Sequence, residues 1–142
     1  MKVAEAMQTN VRAVGPDTAL ADVVQELTDG HITAVPVLDR HGKMLGVVST
    51  SDLLEAQAEG VAGPAGWETI RVEDVMTRPV LTINADAELH DAALRMVYAE
   101  VHRLFVEEDG VLIGVISQTD LVRALAGVKA PHEAGLAPGR TR

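Results

Sequence analysis

The sequence repeats itself. Met7 and Met76 are 69 residues apart (76 − 7), and Val11 and Val80, Leu20 and Leu89, Val35 and Leu104, and Val37 and Val106 keep that spacing. From Gly46 and Gly114 onward the offset is 68 (114 − 46), as it is for Asp52 and Asp120. One residue is therefore missing from the second copy, between VLDRHGKMLG (37–46) and VEEDGVLIG (106–114). A Gly-containing hairpin turn is where such a loss does least damage. A repeat of this length limits the fold severely. A unit of roughly 60 residues buries too small a share of its surface to be secure alone, so the copies are expected to pair face to face, with two equivalent clefts between them.

Each copy reads in the same order. A short helical turn ends in Met (VAEAM, VEDVM) and a brief extended piece follows (VRAV, VLTI). A turn with acid and Ala (GPDTAL, NADAEL) opens an amphipathic helix, with Asp17 or Asp86 expected near its N-terminus, where the helix dipole favours acid. In the second copy Leu89, Ala92, Ala93, Met96 and Val97 recur at helical spacing and predict one buried face. A hairpin and a second helix complete the unit, giving an α+β fold of two tandem β-α-β-β-α repeats packed as a pseudo-two-fold pair. The expected boundaries are 1–59 and 70–127 for the repeats, 60–69 for a Gly- and Ala-rich linker, and 128–142 for a flexible, Pro/Gly-punctuated tail. Trp67, in the linker, is expected to pack on a neighbouring element.

Composition narrows the function. Apolar residues make up 47 % of the chain, but aromatic residues only 2 %, with one Trp, one Tyr and one Phe, so the core must be aliphatic. Without cysteine there is neither a disulfide framework nor a thiolate metal site. The net charge of −9, with 12 scattered basic residues, argues against nucleic acid, which needs clustered cations to displace counterions. No apolar run is long enough to span a bilayer, and the N-terminal residues lack the apolar stretch of a secretory signal, so a cytoplasmic protein without membrane partners is expected. The five histidines include no pair at metal-ligand spacing. No nucleophile–base pair stands out, and the G-x-x-x-x-G-K-[ST] phosphate loop is absent. Neither enzyme activity nor a metal site is expected.

The most informative stretch occurs twice: GVVSTSDL (46–53) and GVISQTDL (114–121). In each, a strand ends at Ser49 or Ser117 and a helix begins, with a carboxylate three residues later. Read alone, Ser49 with Asp52 and Ser117 with Asp120 are nearly capping boxes, each contributing about 1 kcal/mol. Both copies use Asp where the preferred box partner is Glu or Gln, however. A carboxylate between apolar strands can accept two hydrogen bonds at once, which suits a ribose diol. The free N–H groups and hydroxyls of the first helical turn can reach phosphate oxygens. Phosphate also needs a cation, and His102-Arg103 opens the hairpin strand of the second copy. The alternative is that Arg103 is a solvated strand residue and His102 a satisfied edge histidine.

The duplicated unit, the entries VMTRPV and AMQTNV, the VPVLD strand and the G-h-h-S-x-x-D-L exits together resemble a tandem pair of cystathionine β-synthase (CBS) domains, the Bateman module, over residues 1–126. The stretch AEVHRLFVEEDGVLIGVISQTDLVRAL also resembles the last CBS repeat in the gamma subunit of AMP-activated protein kinase. The resemblance implies a stand-alone regulatory module that binds adenosine nucleotides (AMP, ADP or ATP) between repeats and signals energy state to a regulated partner. It implies that Asp120 and Asp52 hold ribose hydroxyls, and that Ser117 and Thr119, or Ser49 and Ser51, contact ribose or phosphate. His102 and Arg103 would contact phosphate, and adenine would pack near Val80 and Leu81 or Val11 and Arg12. Thr33-Ala34 stand where the second copy has His102-Arg103, so unequal sites are expected, with Asp120 favoured for phosphorylated ligands unless Arg103 or Arg12 reaches across.

Such pairs usually form disc-shaped homodimers, and Leu53, Leu54, Leu121, Val122 and Leu125 could supply that surface or belong to the core. The rival readings are a ligand-free dimerisation or interaction scaffold, in which both S-x-x-D motifs are only caps, and a sensor of S-adenosylmethionine or Mg²⁺.

Overall fold

The computed structural model describes residues 1–60, 65–78 and 80–128. The expectation of a flexible tail, and part of the linker at 61–64, lie outside the described residues. The chain divides into two compact units that cut across the repeats: residues 1–11 with 81–142, and residues 12–80. Each repeat's opening segment is thus built into the body of the other.

In the contiguous unit, helix α2 (Leu20–Gly30) buries Leu20, Val23 and Leu27, three positions on one helical face. Each such side chain, fully buried, contributes about 1.5–3 kcal/mol. Strands β1 (Ala34–Leu38) and β2 (Met44–Ser49) form an antiparallel hairpin. Helix α3 (Thr50–Ala58) follows directly and buries Leu53 and Ala56. The loop Arg40-His41-Gly42 is held by Asp39, whose carboxylate accepts from the N–H of His41 at 2.8 Å and of Lys43 at 3.0 Å. One-turn helix α4 (Gly66–Thr69) carries Trp67, which packs half-buried on this core and donates to Gln57 Oε1 at 3.1 Å. Residues 70–73 then pair with 16–20: Val72 N–H donates to the Thr18 carbonyl at 2.8 Å and Glu73 N–H to the Pro16 carbonyl at 3.0 Å.

The other unit repeats this plan. One-turn helix α1 (Val3–Ala6) donates from Val3 N–H to the Ala87 carbonyl at 2.8 Å and from Ala4 N–H to the Ala85 carbonyl at 3.0 Å, the same bonds moved by 69 positions. Strand β3 (Thr82–Asn84) lies parallel to β4 (Arg103–Glu108), which pairs antiparallel with β5 (Val111–Ser117). In the contiguous unit the counterpart of β3 is only a single bridge, Val14 to Val37, so VRAV is less regular than the sequence predicts. Helix α5 (Leu89–Ala99) and helix α6 (Gln118–Leu125) complete an aliphatic core around Leu104, Val106 and Ile116.

Three expectations are revised. The dipole-facing acids are Asp22 and Asp91 rather than Asp17 and Asp86, because the helices start later, at Leu20 and Leu89. The buried stripe of α5 is Leu89, Ala92 and Met96. Val97 is 68 % exposed, since 97 turns past the edge of a face already filled by Met96. Leu53 and Leu121 are core, whereas Leu54, Val122 and Leu125 are exposed. The missing residue is explained by turn geometry. The second hairpin closes through Asp109-Gly110, both at positive φ, a two-residue turn; the first uses three residues.

Candidate functional site

Two equivalent junctions, one in each unit, carry the motif residues. Ser49 ends β2 and caps α3; Ser117 ends β5 and caps α6. Both capping boxes close. The Ser49 N–H donates to Asp52 Oδ2 at 2.9 Å and the Asp52 N–H returns to Ser49 Oγ at 3.2 Å. The Ser117 N–H donates to Asp120 Oδ2 at 2.9 Å and the Asp120 N–H to Ser117 Oγ at 3.1 Å. Asp is long enough for the box, contrary to what its rarity there suggests.

The box occupies one carboxylate oxygen and turns the other outward. Asp52 Oδ1 accepts from the Thr77 hydroxyl at 2.9 Å. Asp120 Oδ1 accepts from the Gln8 amide at 3.1 Å and the Arg123 guanidinium at 3.3 Å. Gln8 and Thr77 are 69 positions apart and immediately follow the paired methionines. Each is delivered by a two-way backbone bridge. Gln8 and Val115 exchange bonds of 2.9 Å, while the Thr77 N–H donates to the Val47 carbonyl at 2.8 Å and the Thr77 carbonyl accepts the Val47 N–H at 3.1 Å.

The motif glycines explain how these segments come so close. A Cβ at Gly46 would lie 2.8 Å from Met76 Sδ and 2.9 Å from the Thr77 carbonyl oxygen. One at Gly114 would lie 2.6 Å from Met7 Sδ and 2.8 Å from the Gln8 carbonyl oxygen. Hydrogen in place of a methyl group is what lets the crossing segment dock.

The remaining predicted residues fall around these junctions. Arg103 sits directly across the β4–β5 pair from Ser117, and Ala34 holds the corresponding place opposite Ser49. His102 is exposed, and its carbonyl accepts the Gln118 N–H at 2.9 Å. Thr119 and Ser51 are exposed in the first turns of α6 and α3. Arg12 is committed within its own unit, 3.0 Å from Glu26. Val11 and Arg12, like Val80 and Leu81, are the points where the chain passes from one unit to the other. Reading the sequence overlooked Gln8, Thr77 and Arg123 as partners of the acids. The repeat offset held the signal for the first two, since a polar residue follows each aligned Met.

Electrostatically the junctions differ. Asp120 is 5 % exposed, a buried charge beside the aliphatic core; Arg123 offsets the desolvation of its charge. Asp52 is only half-buried and accepts from the neutral Ser49 N–H, Ser49 hydroxyl and Thr77 hydroxyl. Among the described residues, no cluster of His, Asp and Glu is arranged to hold a metal ion, and no helix is long and apolar enough to cross a membrane.

Comparison with known proteins agrees with this architecture. The family model described as "CBS domain" matches residues 3–59 and 72–127. The protein MJ1426 of Methanocaldococcus jannaschii is 29 % identical over 138 residues, covering 77 % of this chain and 82 % of that one. CBSX2 of Arabidopsis thaliana, a CBS domain-containing protein, is 28 % identical over 150 residues, covering 87 % of this chain; the match spans 62 % of CBSX2's own length. The crystal structure of CBSX2 in complex with AMP superposes with a TM-score of 0.74, covering 89 % of this chain and 96 % of that one. The AcuB protein of Vibrio cholerae gives 0.80 at 28 % identity, covering 94 % and 96 %.

Proposed function

The chain belongs to the CBS-domain family, and from that premise we propose that it is a regulatory nucleotide sensor that binds AMP, ADP or ATP, with the Asp120 junction favoured over the Asp52 junction for phosphorylated ligands. The observation that carries this reading is the division of labour within each carboxylate. One oxygen is fixed by the cap, and the other accepts from a side chain that can be exchanged for a ribose hydroxyl. Arg103, across from Ser117, supplies the phosphate cation, with His102 beside it. Ser117, Thr119, Ser49 and Ser51 serve ribose or phosphate, and Val80, Leu81, Val11 and Arg12 the base. CBSX2, a relative at 28 % identity, was crystallised with AMP, which supports an adenine ligand. The protein acts without catalysis, in the cytoplasm, as a homodimer that passes its bound state to a partner protein; exposed Leu54, Val122 and Leu125 suit such contacts.

A second reading, a ligand-free scaffold, is favoured by one observation: each outward oxygen already has a protein partner. A thermal-shift panel of AMP, ADP, ATP, S-adenosylmethionine and adenosine separates the two. A hundredfold excess over Kd adds about 2.7 kcal/mol to the folded state, a rise of several degrees that Asp120→Ala abolishes. No shift with any compound leaves the scaffold.

A further inference from the structure

Resting on the nucleotide reading, we propose that Arg123 determines which ligands the Asp120 site accepts. By neutralising that carboxylate it admits an anionic nucleotide, whereas the Asp52 site selects an uncharged or cationic nucleoside. The two acids are placed alike by their caps, and their surroundings diverge in charge at two of the paired positions. Three residues beyond Asp120 stands Arg123, its guanidinium 3.3 Å away and its side chain 19 % exposed. Three residues beyond Asp52 stands Glu55 (123 − 68). Opposite the capping serine stands Arg103 in one junction and Ala34 in the other. Arg12, which the sequence offered as a cation for this site, is held by Glu26 at 3.0 Å.

Asp52 therefore has an acid one helical turn on where Asp120 has an arginine. A phosphate brought to the ribose that Asp52 holds meets a half-buried carboxylate with a second acid close by in the same helix, and partial burial of Asp52 weakens the screening that would hide its charge. At Asp120 the same phosphate meets a neutral pair and a second arginine. Arg123 acts through Asp120, as a specificity-determining residue rather than as a ligand itself.

The test is calorimetric titration of wild type, Arg123→Gln, Arg123→Lys and Glu55→Arg with AMP and with adenosine, after circular dichroism melts establish that each is folded. Arg123→Gln should lower the AMP-to-adenosine affinity ratio about tenfold, with adenosine binding nearly unchanged, and Arg123→Lys should keep the ratio. Glu55→Arg should add AMP binding at the weaker site. If AMP and adenosine weaken together in Arg123→Gln, the residue merely shapes its surroundings and the proposal is overturned. A ratio unmoved by either substitution overturns the proposal and leaves the nucleotide reading standing. Wild type that binds neither compound overturns both.

Discussion

The Gln8 side-chain amide meets Asp120 Oδ1 at 3.1 Å although 112 positions separate them. An N-terminal residue thus completes the coordination of an acid near the far end of the chain, and the Thr77–Asp52 pair repeats the arrangement at 2.9 Å. Both acids therefore stabilise the fold, besides the ligand role we propose for them. Their two roles respond differently to substitution.

Replacing Asp120 with Ala removes a cap and leaves Arg123 and Gln8 without their shared acceptor. The loss should be about 2–3 kcal/mol, the range for a hydrogen-bonded buried charge. Asp52→Ala, at a half-buried site where the donors are the neutral Ser49 and Thr77, should cost about 1 kcal/mol. Urea midpoints at unchanged slope measure the difference, and equal losses would contradict the unequal burial.

The glycines that admit the crossing segments should tolerate no side chain. Gly114→Ala sets a methyl group 2.8 Å from a backbone carbonyl oxygen, which cannot swing aside as Met7 Sδ can. A cost of about 1–3 kcal/mol follows, and Gly46→Ala should behave alike. Because the backbone is the fixed obstacle, Met7→Ala should not rescue Gly114→Ala in a thermal melt.

His31 and Glu100 occupy the left-handed region, at φ of 53° and 55°, where α2 and α5 end. Glycine adopts this conformation without steric cost. His31→Gly and Glu100→Gly should each stabilise the protein by about 0.5–1 kcal/mol, after the added freedom of the unfolded chain is counted. Chemical denaturation reads this directly, and destabilisation would count against the cap geometry.

The Asp39 carboxyl is held below its ordinary value of 3.8 by the N–H of Lys43 first and that of His41 next. A carboxyl lowered on folding stabilises the protein above its unfolded value and loses that contribution as pH falls through the lowered one. Asp39→Asn should therefore be less stable than wild type near neutral pH, with the gap narrowing below pH 3.8. Melting temperatures of both proteins across pH 2–6 test the sign.

Much of this was legible in the chain because it repeats. Matched offsets located both Ser-x-x-Asp junctions, the hairpins and the helices, and the alternation of Val and Leu in β1 and β4 located the cores. What escaped was connectivity. Hydrophobic periodicity reports that Val3 and Val72 are buried, but it is silent on which copy covers them, since both copies present the same aliphatic surface. For that reason nothing singled out Gln8 and Thr77 as partners of the acids. Arg123 was missed for a different reason: a basic residue in the last turn of a helix is ordinarily explained by the dipole, and only coordinates reveal its turn toward Asp120. The exposure of Val97 follows from a face narrower than the heptad pattern suggests.

The interleaving of residues 1–11 with residues beyond 81 carries a practical consequence for protein engineering. One body, 12–80, is encoded as a single uninterrupted stretch of gene, while the other is split around it. A permuted gene that joins the codons for 11 to those for 81 would make the second body continuous, whereas trimming the first dozen codons would injure the one that lies at the opposite end of the message.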